Sequence, residues 1–240
     1  MILQAIALTA LAAIANIGGG ALIAWRAGGA SRLLPFLNAF GAGFMLAVAF
    51  LEMLPGGMEV PGGLTVILLG YLIVHLTQHV LTPHFHFGEE THLEAMQSRG
   101  VGIWALVGLI PHAFFDGVAI SGGFLASTEL GVLIFMAVLL HKVPTGVALA
   151  SIMLASGSSR KQALQGVGIT SFAMVLGALV TPVVDWLTEY GFALAAGVTI
   201  YVAASNLIPE SQREHGWQVP VGIFVGVASF YFIRLLLPGM

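Results

Sequence analysis

The sequence predicts an all-α, polytopic membrane protein of eight transmembrane helices. Three observations carry this expectation. The chain of 240 residues is 58% hydrophobic and 8% charged, with a mean hydropathy of +0.98, whereas soluble domains hold about 25% charged residues. Eight apolar stretches approach the ~20 residues that a helix needs to cross a bilayer core. The connectors between them are short and hold the Gly, Pro and Ser that end helices. A single transmembrane domain over residues 1–240 absorbs the chain, with no soluble domain left over.

The first stretch, Ile2–Trp25, has no Lys or Arg before it. It is too long for the apolar core of a signal peptide and reads as a membrane helix. Arg26-Ala27-Gly28-Gly29 ends it, and Leu33–Leu54 follows, closed by Pro55-Gly56-Gly57. Leu64–Leu81 begins after Pro61-Gly62-Gly63. Val101–Phe124 and Leu130–Ala155 make the centre, and Ser156-Gly157-Ser158-Ser159 ends the second of them. Ala163–Leu187, Phe192–Ile208 and Val219–Leu237 complete the set, with Pro238-Gly239 after the last.

Charge gives the orientation. Arg26, Arg32, Arg99, Arg160, Lys161 and Arg213 fall in connectors on one side. Glu59, Glu129 and Glu189 occupy the other side, without Lys or Arg. Basic connectors stay cytoplasmic, so both termini are expected outside. Arg234, near the outer end of the last stretch, breaks the pattern and is expected to snorkel. The hydrophilic run Thr82–Gly100 is then a cytoplasmic loop. Its His84, His86 and His92, with Glu89 and Glu90, either bind metal or form a solvated loop without a defined site.

The net charge of -3 gives no sign of nucleic-acid binding. The chain has no cysteine, which excludes disulfides and thiolate sites. A zinc site must therefore use imidazole, carboxylate and water.

The two central stretches share a pattern. His112-Ala-Phe-Phe-Asp116-Gly117-Val-Ala aligns with His141-Lys142-Val-Pro144-Thr145-Gly146-Val-Ala. Each His lies roughly twelve residues into its stretch, near mid-bilayer at ~1.5 Å per residue. Consecutive helices run in opposite directions, and an inverted pair with polar groups at the midplane is how many transporters build a substrate site. His112 and Asp116 stand at i,i+4 on one helix face. With His141 they offer nitrogen and oxygen ligands suited to Zn²⁺, and also to Fe²⁺, Mn²⁺ or Cd²⁺. Water or Thr145 is available to complete the shell. Gly117 and Gly146 are expected to let the two helices approach each other closely. Pro144 frees a carbonyl to face a cavity. The competing structural reading is an ion pair that only locks helices. Two His and one Asp at equal depth favour function.

These residues resemble the ZIP (Zrt/Irt-like) family of divalent metal transporters. The fourth-helix pattern His-[Asn/Ser/Ala]-x-x-[Asp/Glu]-Gly matches His112, Ala113, Asp116 and Gly117. The fifth-helix pattern is matched by His141, Pro144 and Gly146, and "YVAASNLIPE", Tyr201–Glu210, is similar to the family's seventh helix. The resemblance implies a 3+2+3 arrangement, with helices one to three related to six to eight by inverted symmetry. It also implies movement of zinc or related ions toward the cytoplasm. Many members hold two metals bridged by a carboxylate on helix five. Here that position is Thr145, and Lys142 and Ala113 stand where the second metal's ligands would be. The sequence is therefore similar to a one-metal branch, His-Lys-x-Pro, with Lys142 as surrogate for the second ion. An ammonium donates and cannot ligate.

Other polar residues have two readings each. Glu52 is a cation-attracting mouth residue or an interfacial carboxylate. Asn206 and Glu210 are an exit pair or a helix terminus among headgroups. His75 and His79 extend the exit path or pack with a hydrogen-bonded imidazole. Asp185 is expected at the interface of the sixth helix. The small-residue run Ala39–Gly43 packs helices within a subunit or in a homodimer.

The expected function is transmembrane transport of divalent metal cations, zinc foremost, toward the cytoplasm by alternating access. The expected place is the plasma (inner) membrane if the source is prokaryotic. The expected partners are a metal ion and lipid. No enzymatic activity and no resident cofactor are expected. The alternatives are an intramembrane metal-dependent hydrolase and a non-transporting metal-binding receptor.

Overall fold

The structure is a computed structural model and describes residues 1–25, 34–79, 99–212 and 216–236. The side chains of Leu34, Pro35, His79, Arg99, Gly100 and Glu210 also fall outside the description. His84, His86, His92 and most of the run 82–100 lie outside the described residues, as do Arg26, Arg32 and Arg213.

All regular elements among the described residues are helical. We number them α1 Ile2–Trp25, α2 Leu34–Val48, α3 Gly63–His79, α4 Arg99–Ala126, α5 Thr128–Ala155, α6 Arg160–Val180, α7 Asp185–Tyr201 and α8 Gln218–Leu236. Among the described residues, seven helical stretches are long and apolar enough to cross a membrane, and α3 is a shorter apolar helix. Helices suit this composition because every backbone N–H and C=O must be satisfied within the segment when lipid surrounds it. Side chains supply the ends. Ser127 caps α5 by accepting from Leu130 N at 3.1 Å. Ser159 and Gln162 form a reciprocal capping box on α6.

Two helices widen locally. α2 continues through a π-helical turn, Ala49–Met53, into Leu54–Met58, and α7 continues through Val202–Leu207 into Ile208–Gln212. Leu54 N–H bonds to Ala49 O, and Ile208 N–H bonds to Ala203 O. Pro55 and Pro209 follow directly. A proline has no N–H, and its ring crowds the carbonyl four residues back, so the wider turn makes room for it. The π turns place Glu52 and Asn206 at matching positions.

Helix boundaries move in several places: α2 runs through Pro55, Gly56 and Gly57 to Met58 instead of ending before them, and α7 runs past Ile208 to Gln212. The sixth helix ends at Val180 with a 3-10 turn, Thr181–Val183, containing Pro182. Asp185 therefore opens α7 instead of closing α6, and Glu189 lies inside α7 instead of in a connector. A carboxylate in a first turn meets the positive end of the helix dipole.

The most extensive contacts between helices come in pairs. α1 packs on α5 as α6 packs on α4, and α2 packs on α8 as α7 packs on α3. Glycines make each crossing close. A β-carbon on Gly146 would strike the carbonyl of Asn16, and one on Gly19 would strike that of Val143. In the matching crossing, Gly117 meets Met174 and Gly177 meets Phe114. Gly43 meets Ile223 and Gly226 meets Phe40, while Gly197 meets Ile67 and Gly70 meets Leu194. Exchanging α1 with α6, α2 with α7, α3 with α8 and α4 with α5 turns each contact into its mate. Lipid offers no hydrophobic drive for helix association, so close van der Waals packing has to supply it.

One expectation is corrected here. Gly117 and Gly146 do not bring α4 and α5 together. Gly117 admits α6 and Gly146 admits α1. The α4–α5 contact instead uses Gly123 against Gly131 near their shared turn. The Ala39–Gly43 run is consumed within the chain, with Ala39 and Ala42 fully buried and Gly43 against α8.

Polar side chains inside the bundle are largely tied down. Thr9, Thr181 and Thr199 each donate to the carbonyl four residues back. Asn16 Nδ2 donates to Ser171 Oγ at 2.9 Å and Thr170 Oγ1 at 3.2 Å, which joins α1 to α6.

Candidate metal centre

α4 carries His112 and Asp116 one turn apart, and α5 carries His141 and Lys142 beside them. All four are buried, none exposing more than 2% of its surface. The i,i+4 spacing stacks His112 over Asp116, with Nε2 3.3 Å from Oδ2. From α5, His141 Nε2 lies 3.6 Å from the same oxygen. The two imidazole rings have centroids 5.5 Å apart.

The hydrogen bonds leave ligand lone pairs free. His141 Nδ1 lies 3.0 Å from Ala137 O. A carbonyl only accepts, so Nδ1 carries the proton and Nε2 keeps its lone pair. His141 Nε2 and His112 Nδ1 are buried without a hydrogen-bond partner. A buried polar atom without a partner costs free energy. A bound ion would remove that cost at His141 Nε2.

The geometry fits a small divalent cation. One ligand atom from each of His112, Asp116 and His141 lies within 4.8 Å of the others. A tetrahedral ion with bonds of about 2.0–2.1 Å holds its ligand atoms roughly 3.4 Å apart. The separations of 3.3 and 3.6 Å already bracket that edge. It is the one such group of His and carboxylate among the described residues.

Lys142 supplies the remaining charge. Its Nζ donates to Asp116 Oδ2 in a short contact, so one carboxylate oxygen faces two imidazoles and an ammonium. A buried carboxylate without a partner is costly. Lys142 neutralises it without competing as a ligand, because an ammonium has no lone pair.

The accessory residues do not all join this cluster. Thr145 Oγ1 donates to His141 O at 2.7 Å, a bond within its own helix. Glu52 lies in the α2 π turn and pairs with Arg234 at 3.2 Å. Arg234, expected merely to snorkel, is thus held by an acid. Asn206 is buried in the α7 π turn. His75 is exposed, with its ring edge-on to Tyr201 at 5.9 Å. The side chains of His79 and Glu210 are outside the described residues.

Comparison with known proteins decides the family. The profile described as "ZIP Zinc transporter" matches residues 74–234, which include all of α4 to α7. The chain belongs to the ZIP zinc transporter family.

Relatives in this family include zinc transporter ZupT of Escherichia fergusonii, 30% identical over 219 residues, with 84% of each chain covered. Zinc transporter YKE4 of Saccharomyces cerevisiae is 24% identical, covering 75% of this chain and 62% of its own. Zinc transporter ZIP9 of Xenopus tropicalis is 26% identical, covering 71% of this chain and 60% of its own. The chain therefore spans about three-fifths of the length of YKE4 and ZIP9. As a ZIP family member with helices of this length and apolarity, it is an integral membrane protein.

The sequence allows Lys142 two readings, a positive charge that keeps Asp116 ionised or the partner of another acid, and the structure places it on Asp116. Sequence reasoning missed two features. The Asn16 cluster was one, since a lone Asn in an apolar run has no local signal. The other was the equivalence of Glu52 and Asn206. Its signal was present in Ala49-Phe-Leu-Glu52-Met-Leu-Pro55 and Ala203-Ala-Ser-Asn206-Leu-Ile-Pro209.

Proposed function

We propose that this ZIP protein carries divalent metal cations, zinc foremost, across its membrane toward the cytoplasm, that membrane being the plasma (inner) membrane if the source is prokaryotic. Its ligand set is His112, Asp116 and His141. The observation that carries this reading is the convergence of three buried ligand atoms from two adjacent helices within 4.8 Å. The relatives' description as zinc transporters supports the choice of ion. Fe²⁺, Mn²⁺ and Cd²⁺ suit the same donor set.

The substrate ion is drawn to the outer mouth past Glu52 and sheds most of its water at the His–Asp site. Water, or the oxygen of Thr145, completes its shell. Lys142 holds the place of a second metal and keeps Asp116 ionised, so the site takes one ion. Asn206 and Glu210 then guide release, with His75 and His79 further along and the loop residues His84, His86 and His92 as acceptors. Both termini face outward. The paired contacts support an inverted repeat of α1–α3 and α6–α8 around α4 and α5, and such a repeat supports alternating access. The burial of all four site residues fits an occluded stage of that cycle.

Zinc influx into proteoliposomes tests the reading. Saturable influx in the wild type that disappears in His112→Ala is expected. A folded protein that binds zinc and gives no flux would replace the transporter with a metal-binding receptor.

A further inference from the structure

We propose that Arg234 is a displaceable ionic latch on Glu52, which sets how readily a divalent cation gains the outer mouth. The proposal rests on the transporter reading above and adds a residue to it.

Four observations converge. Arg234 Nε lies 3.2 Å from Glu52 Oε1, with side-chain exposures of 50% and 20%. The contact is close enough for an ion pair, yet Oε1 has no partner of hydrogen-bond geometry. A half-exposed pair of this kind holds weakly. Glu129, in the first turn of α5, acts electrostatically on the same carboxylate. Once the guanidinium leaves, Glu52 loses the one cation paired with it among the described residues and attracts others.

The fourth observation separates a latch from a helix tie. The exchange that carries Glu52 onto Asn206 carries Arg234 onto Gln78. At that end of the bundle both positions are uncharged and buried. α7 and α3 still pack as α2 and α8 do. The crossing therefore needs no ion pair, and the charge belongs to one end alone.

The chemistry follows from the two side chains. Arginine stays protonated and has no acceptor, so on Glu52 it occupies the position of a cation without ligating one. Its long stem lets the head swing into water. An incoming divalent ion, with twice the charge, takes the carboxylate in its place. Electrostatic capture of this kind acts mainly on association rate.

Two measurements test the latch on the full chain. The first is zinc influx into proteoliposomes against zinc concentration. The second is the rate of zinc uptake by detergent-solubilised protein, followed by stopped flow with a chromophoric chelator. Arg234→Gln should lower KM and raise the uptake rate about two- to fivefold, with Vmax near wild type. Arg234→Lys should stay near wild type, and Glu52→Gln should shift both readouts the other way. In a Glu52→Gln background, Arg234→Gln should add nothing. An unchanged KM and rate in Arg234→Gln, or the same gain without Glu52, would overturn the proposal. If the wild type gives no flux that depends on His112, the transporter reading fails, and the uptake rate alone decides the latch.

Discussion

Lys142 and His141 are neighbours in the chain, and both reach Oδ2 of Asp116 from α5. One oxygen thus serves an ammonium that cannot ligate and an imidazole that can. On the proposed ligand set, zinc would have to share or displace the ammonium's hold on that oxygen.

Lys142 should accordingly stabilise the ion-free protein more than the ion-bound one. Lys142→Met leaves the buried Asp116 carboxylate without its ammonium partner, a loss of about 3–5 kcal/mol by comparison with other broken buried pairs. Zinc should recover more stability in the variant than in the wild type. Thermal unfolding with and without zinc reads this directly. Lys142→Asp should add a second zinc equivalent. One equivalent with normal transport in that variant would remove the surrogate-ion role.

Zinc affinity should fall as pH falls, because both imidazoles must be neutral to ligate. Protons compete for the same lone pairs, so the sign is fixed by the ligand chemistry. Zinc-binding isotherms at stepped pH check it. His141→Ala should weaken binding at every pH.

Gly146 and Gly117 should tolerate no side chain. A β-carbon at either collides with a backbone carbonyl, of Asn16 or Met174. Gly146→Ala and Gly117→Ala should each cost about 1–3 kcal/mol, the usual penalty for overpacking. Gly18→Ala and Gly168→Ala, which meet nothing within 4 Å, serve as controls. Unfolding in mild detergent and denaturant separates the two classes. Equal losses in both would show that close helix approach is not what these glycines provide.

Much of this protein is legible in its composition and spacing. Apolar runs near bilayer length leave a chain little choice but helices, because lipid cannot satisfy a backbone amide. The i,i+4 spacing of His112 and Asp116 alone puts both on one helix face. The equal depth of His141 follows from counting residues along the next apolar run.

Tertiary structure decided the rest, because packing partners and rotamers are not local properties. Which helix each glycine admits depends on crossings between distant segments, and Gly117 and Gly146 proved to serve α6 and α1. Pro55 and Pro209 each lack a donor, and only the course of the backbone through α2 and α7 shows the wider turn that accommodates them. Whether Lys142 turns toward Asp116 depends on the burial that makes an unpaired charge costly. Arg234 reads as a snorkelling exception in the sequence, and becomes the partner of Glu52 only because α8 lies against α2.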